Sequence, residues 1–202
     1  MHRFSISAAL ALAATSPALA GPVDVPPPLP PVIVDNCPLT FDCLYAGLEL
    51  GYGQGDGDES VIGGPTIPLD FDGEVYGAFA GFNFQNGSTV FGGEVRYLHT
   101  NLTDGVAGFE VNSLLDLRAR VGFAMGQDFM VYGAAGWTMA QATAAADFDM
   151  DGYNYGIGVE YNLSESFFLG ADVTGRQLEG SQGGFDYETT VNTATIRAGF
   201  RF

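Results

Sequence analysis

The chain has 202 residues and a formal net charge of −17, which comes from 24 acidic residues against seven basic ones. Glycine and aromatic residues are abundant, and lysine is absent. Such a charge argues against nucleic acid or an anionic surface as a partner, because both repel an acidic protein. The length suits a single domain.

The first 20 residues have the three-part pattern of a secretory signal peptide. A basic start at Arg3 precedes an apolar run over residues 4–15, and Ala18 and Ala20 supply the small residues of a cleavage site. We expect residues 1–20 to be removed. A buried N-terminal helix is the alternative. The apolar run is too short for a transmembrane helix, which needs about 20 apolar residues.

Residues 21–43 are predicted to form a proline-rich periplasmic arm. The segment from Pro26 to Pro31 favours an extended polyproline spacer. A protein-binding role, through contact with a periplasmic partner, is the alternative. Cys37 and Cys43 lie close together, and an oxidising periplasm favours a disulfide between them. A metal site there lacks further ligands, because His99 is the only histidine after the signal peptide.

From residue 44 to residue 202, apolar and polar residues alternate with a period of two, as in β-strands. Turn residues divide this region into runs that are near the 9–11 residues of a tilted transmembrane strand. The predicted fold class is all-β: a closed antiparallel eight-stranded transmembrane β-barrel, preceded by the signal peptide and the arm. The predicted strands are 44–53, 74–85, 90–100, 111–124, 129–140, 152–163, 167–176 and 190–202.

The predicted connections alternate in length. Three are short, at 86–87, 126–128 and 164–166, and Asn86-Gly87 is a strong hairpin signal because both positions tolerate positive φ. Four are long and acidic, at 54–73, 101–110, 141–151 and 177–189. This alternation is typical of outer-membrane barrels. An even strand number puts both termini on the short-turn side, which predicts periplasmic termini and acidic extracellular loops.

The two faces of the predicted strands differ in polarity. In the fourth strand Leu117 and Val121 lie on one face, and Arg118 and Arg120 lie on the other. A barrel in a membrane turns its apolar face to lipid and its charges into the lumen. Paired charges in a narrow lumen satisfy each other, so we expect a polar network that plugs most of the bore. Its predicted members are Glu49, Glu94, Arg96, Asp116, Arg118, Arg120, Glu160, Asp172, Arg176, Arg197 and Arg201.

Aromatic residues near the predicted strand ends suit the two interfacial girdles of a membrane barrel. The fifth strand is ambiguous, and the sequence does not assign a face to Trp137. The girdle candidates are Tyr52, Tyr76, Phe84, Phe91, Tyr97, Phe123, Tyr132, Tyr161, Phe167, Phe200 and Phe202.

Two segments resemble the small outer-membrane β-barrel proteins of alphaproteobacteria, a surface-antigen group in the superfamily of the OmpA transmembrane domain. The first, GAFAGFNFQNG at 77–87 followed by FGGEVRY at 91–97, is similar to their second hairpin. The second, IRAGFRF at 196–202, is similar to their last strand. The resemblance implies this fold over residues 44–202. It also implies that Phe200 and Phe202 form a signal for the barrel-assembly machinery.

Chemistry-bearing motifs are weak. His99 stands at the predicted outer rim without a nucleophile–base–orienter set around it, so we expect no enzyme activity. Asp147, Asp149 and Asp151 resemble the start of a calcium loop, but Gly158 replaces the glutamate that would complete it. These aspartates are weak metal candidates, and no cofactor is expected.

The sequence therefore predicts a structural or surface-interaction barrel in the outer membrane, with a charge-plugged lumen. The alternative is a narrow porin-like channel for ions or small solutes, since eight strands leave an interior that side chains nearly fill. The expected partners are outer-membrane lipid, lipopolysaccharide and, during biogenesis, the assembly machinery. Nucleic acid is not expected.

Overall fold

A computed structural model describes residues 41–61, 66–103, 108–144 and 146–202. The predicted signal peptide and most of the predicted arm, Cys37 included, lie outside the described residues. Within the described ranges, no helix is long and apolar enough to cross a membrane.

The described residues form one closed antiparallel barrel of eight strands, in which each strand pairs with the next and β8 pairs with β1. This confirms the predicted all-β class and the closed eight-stranded barrel. The strands are β1 (Leu44–Val61), β2 (Thr66–Asn86), β3 (Thr89–Thr103), β4 (Glu110–Met125), β5 (Phe129–Thr143), β6 (Asp147–Asn162), β7 (Phe167–Gln182) and β8 (Phe185–Arg201).

One end of the barrel, which we name the turn end, carries the three short turns and both ends of the barrel chain. Gly87 and Gly126 lie in two of these turns with φ of 62° and 76°, a left-handed conformation that favours glycine. The backbone N–H of Phe202 donates to the carbonyl oxygen of Leu44 at 3.0 Å, which joins the last residue to the first strand.

The wall next to the turn end has the inside-out polarity of a membrane barrel. Leu117, Val121 and Phe123 of β4 point outward and are exposed, whereas Arg118 and Arg120 between them are buried in the interior. An apolar outer face around a charged interior is the arrangement typical of transmembrane β-barrels. Trp137 belongs to this outer face and is 48 % exposed.

The prediction of four long loops at the opposite end, which we name the ribbon end, is wrong. The segment predicted as a loop at 177–189 continues β7 to Gln182 and starts β8 at Phe185. Only Gly183 and Gly184 connect them, with φ of 62° and 91°. Two positive φ values fit a tight hairpin turn that matches strand twist. The strands on either side of the other three predicted loops likewise extend into the segments predicted as loops.

The polarity of the wall reverses along these strand extensions while the alternation continues. In β2, Leu69 and Phe71 point inward and are buried, and Asp70, Asp72 and Glu74 point outward and are exposed. This is the pattern of a water-soluble barrel. The predicted loops therefore correspond to strands that continue beyond the apolar band of the outer wall and surround an apolar core.

Candidate functional site

All eleven charged residues predicted to face the lumen are buried inside the barrel. Their side chains form a connected set of ion pairs, which we name the charge network. Strand alternation places each of them on the inner face, since neighbours two residues apart share a face.

Asp116 of β4 joins two arginines from different sides of the bore. Its carboxylate accepts from Arg96 of β3 at 2.9 Å and from Arg176 of β7 at 2.7 Å. The hydroxyl of Thr138 donates to the same carboxylate at 2.7 Å. An aspartate with these three donors is well satisfied, and its removal would leave two buried cations without this partner.

Glu94 of β3 lies at the centre of a second group. It pairs with Arg118, with Arg120 at 3.0 Å and with Arg197 at 2.6 Å. The hydroxyl of Tyr45 also donates to Glu94, at 3.0 Å. Strands β1, β3, β4 and β8 therefore meet at one carboxylate.

The bore is spanned by a direct contact between opposite strands. Arg96 of β3 donates to Asp172 of β7 at 2.9 Å. These strands lie four steps apart in either direction around the barrel, so the pair crosses its full width. Asp172 also accepts from Arg118 of β4 at 3.2 Å and from Tyr132 of β5 at 2.7 Å.

The remaining members extend the network along the bore. Glu160 binds Arg120 at 2.5 Å and Arg201 at 2.6 Å, toward the turn end. Glu49 accepts from Thr195 at 2.9 Å and lies 3.4 Å from Arg96. With six arginines against five acids, the network carries a net charge of +1 (6 − 5).

Aromatic side chains also contribute to the network, and sequence reasoning missed them. Tyr132, predicted in the girdle, is 4 % exposed and points inward, so that prediction is wrong. Arg120 lies 3.8 Å above its ring, and Arg197 lies 3.8 Å above the ring of Phe79. These contacts stabilise cations away from water. Tyr45 could have been found by counting back from Glu49 in steps of two.

An apolar cluster closes the bore below the network, at the turn end. Phe41, just before β1, is fully buried there, and its N–H donates to the side chain of Gln85 at 3.0 Å. Arg201 lies 4.8 Å above the ring of Phe41. The other buried members of this cluster are Val90, Ala124, Met130, Tyr132 and Ala134.

A larger apolar core closes the bore above the network, at the ribbon end. Phe109 is its central aromatic residue, with ring centroids 5.6 Å from Phe71, 5.9 Å from Tyr187 and 6.4 Å from Phe148. The other buried members are Leu69, Val75, Leu98, Leu102, Val111, Leu114, Ala140, Ala142, Met150, Leu178 and Val191. Apolar clusters thus lie in the bore on both sides of the centre of the charge network.

A family model described as "Outer membrane protein beta-barrel domain" matches residues 6–202. The chain belongs to this outer-membrane β-barrel family. Its location is therefore the outer membrane, in agreement with the inside-out polarity of the wall.

Individual relatives agree with the family. The 31 kDa outer-membrane immunogenic protein of Brucella melitensis is 25 % identical, over 100 % of this chain and 99 % of the relative. The 25 kDa outer-membrane immunogenic protein of Brucella ovis is 30 % identical, over 80 % of this chain and 81 % of the relative. The crystal structure of Neisserial surface protein A shares the fold, with a TM-score of 0.52 and 13 % identity, over 79 % of this chain and 97 % of that one.

The remaining predicted site residues of this outer-membrane barrel lie outside the charge network. Phe200 and Phe202 point outward at the turn end and are exposed. Cys43 is disulfide-bonded. The weak metal candidates Asp147, Asp149 and Asp151 lie on strand β6. Among the described residues, no group of three His, Cys, Asp or Glu side chains is placed to hold a metal ion.

Proposed function

We propose that this protein is a closed-bore scaffold of the outer membrane, without enzyme activity, that presents the ribbon end at the cell surface. The observation that carries the proposal is the Arg96–Asp172 pair, which crosses the bore between opposite strands at 2.9 Å. Apolar clusters above and below the pair support the same conclusion. The narrow-pore alternative needs a continuous water path, and the cross-bore ion pair and the two apolar clusters oppose one.

The ribbon end supplies the surface for interaction. Its outward acids lie on strands, so they are held in fixed register. Among the described residues every arginine is buried in the lumen, and the sequence contains no lysine to offset these acids. This surface would repel polyanions. The exposed acids are Asp56, Asp58, Asp70, Asp72, Glu74, Asp147, Asp149, Asp151, Glu179, Asp186 and Glu188.

The relatives support surface display. The Brucella proteins are immunogenic outer-membrane proteins by name, and we extend exposure at the cell surface to this chain. His99 fits an interfacial role, since its ring packs against Tyr76 at a centroid distance of 5.1 Å. Outer-membrane lipid and lipopolysaccharide are the proposed surroundings of the wall.

Surface labelling tests the orientation. The variant Asp186→Cys places a cysteine on the ribbon end, and this cysteine will react with a membrane-impermeant maleimide in intact cells. The variant Glu165→Cys places a cysteine in the turn between β6 and β7, and this cysteine will react only after the outer membrane is permeabilised. Both native residues are acidic and exposed, so the two variants are matched. The reverse labelling pattern would contradict the proposed orientation.

Phe202 tests the proposed contact with the assembly machinery. Deleting Phe202 will leave export intact but slow insertion into the membrane, because the apolar end of the last strand is lost. The measurement is a pulse-chase of heat-modifiable gel mobility, with Phe123→Ala as the control for loss of one lipid-facing phenyl ring. Unchanged insertion kinetics in the deletion variant would count against the signal.

A further inference from the structure

The apolar outer wall next to the turn end, which we name the membrane band, ends where the acidic ribbon end begins. At this boundary, strands β3 to β6 form a crevice in the outer wall. Its volume is about 550 Å³. Two rows of register partners cross it. The lower row runs Tyr97, Leu115, Met139 and Asp151, and the upper row runs His99, Ser113, Gln141 and Asp149. His99 flanks the crevice, and the other seven residues line it.

Two adjacent bulges coincide with this crevice. Between His99 and Leu102, β3 has one residue more than β4, and between Val111 and Ser113, β4 has one more than β5. A bulge bends its strand and re-aims a side chain. Here it turns Ser113 to the outer wall, although Val111 two residues earlier is part of the apolar core. The irregularity is therefore local to the crevice.

The walls of the crevice have opposite chemistry. Trp137, Tyr97 and Met139 form the side toward the membrane band, and all three are about half exposed. Asp149 and Asp151 stand on strand β6, at the end of the two rows, and are exposed. Such a site has an apolar, aromatic wall and an acidic rim on its β6 side.

The base of the crevice is polar and buried. Ser113 is 8 % exposed, and its hydroxyl has a long hydrogen bond of 3.4 Å to Gln141. A hydrogen bond of this length is weak, so the Ser113 hydroxyl can still form a stronger one with a ligand. A head group that enters the crevice could therefore bind to Ser113 and Gln141 as well as to the acidic rim.

We propose that this crevice binds an amphiphile with a long hydrocarbon chain and a primary ammonium head group. The chain would lie on Met139 and Leu115, along the membrane band. The ammonium would face Asp149 and Asp151, and the nearby aromatic rings add cation–π attraction. A phosphate or carboxylate head group would meet like charge at the rim, and a neutral one would gain no ion pair.

This inference rests on residence in the membrane, which the family shows, and not on the proposed orientation or on the closed bore. Its failure would leave the scaffold proposal untouched. The chain offers a direct reporter, because Trp137 is its only tryptophan and it lines the crevice.

The test is quenching of Trp137 fluorescence by terminally brominated amphiphiles, with the purified protein in neutral maltoside micelles. Brominated dodecylamine, dodecanol and dodecanoate share one chain and differ in the head group. We expect the amine to half-quench at a mole fraction about fivefold lower than the alcohol, which corresponds to two exposed ion pairs. The carboxylate will quench less well than the alcohol.

Two charge-matched variants locate the effect. D149N/D151N will lose the preference for the amine, and D186N/E188Q, which removes two acids from β8, will keep it. Heat-modifiable mobility checks that each variant is folded. The proposal is overturned by equal quenching from amine and alcohol in the unaltered protein. It is also overturned if both variants lose the preference equally, which would mean attraction to overall charge.

Discussion

Replacing Asp116 by alanine will lower the free energy of unfolding by about 3–5 kcal/mol, the cost of breaking a buried ion pair by removing one partner. Asp116 accepts from both Arg96 and Arg176 in the interior. Its removal leaves two buried guanidinium groups with fewer acceptors, and the network becomes still more positive. The measurement is urea unfolding of the protein refolded in liposomes, followed by heat-modifiable mobility.

The control for this prediction is Asp186→Ala, which removes an exposed acid from the ribbon end. Surface substitutions of this kind change stability by about 0.5 kcal/mol or less. If the Asp116 variant were as stable as this control, the lumen would have to be hydrated enough to solvate the two arginines. The charge network would then not be a dry plug.

Replacing Phe109 by alanine will open the ribbon end without unfolding the membrane part of the barrel. Phe109 is buried among Phe71, Phe148 and Tyr187, and truncation of a core phenylalanine costs about 3–5 kcal/mol. The strand extensions at the ribbon end are stabilised by this apolar core and not by lipid. We therefore expect cleavage there by proteinase K to become at least about tenfold faster, since each 1.4 kcal/mol is a factor of ten.

The protected fragment distinguishes local from global opening. In liposomes the cleaved Phe109 variant will keep its membrane-embedded strands as a protease-resistant, heat-modifiable core. Phe123→Ala removes an outward ring near the turn end and will leave ribbon cleavage unchanged. Cleavage throughout the chain would show instead that the two parts unfold together, and an unchanged rate would show that Phe109 does not hold the ribbon.

Much of the wall could be predicted from sequence, because lipid and lumen impose opposite demands on alternate residues. Arg118 and Arg120 illustrate this, since Leu117, Ala119 and Val121 around them fix the parity of β4. The same parity places Arg197 and Arg201 inside. The number of strands followed from the turn signals, such as Asn86-Gly87, between the alternating runs.

The ribbon end could not be predicted in the same way. Leu69 and Phe71 keep the alternation of β2, but here the apolar residues point inward, opposite to the membrane band. Acidic, glycine-containing segments therefore resembled loops. Tyr132 was misplaced because Gly133, Ala134 and Ala135 give its strand little contrast between faces.

The pairing of the lumen charges could not be predicted from the sequence either. Parity puts Arg96 and Asp172 in the lumen, but only barrel closure brings β3 and β7 together across it. The bulges near Ser113 carry no sequence signal, since an extra residue in a strand looks like any other. The crevice beside Trp137 therefore emerges only from the three-dimensional register.

The conductance of the purified, refolded protein in planar bilayers tests the closed bore most directly. The ion pairs across the lumen and the apolar clusters at both ends predict a flat current, without stepwise openings, while heat-modifiable mobility shows that the inserted protein is folded. Regular unitary steps that disappear when the protein is omitted would contradict the closed bore and favour the narrow pore.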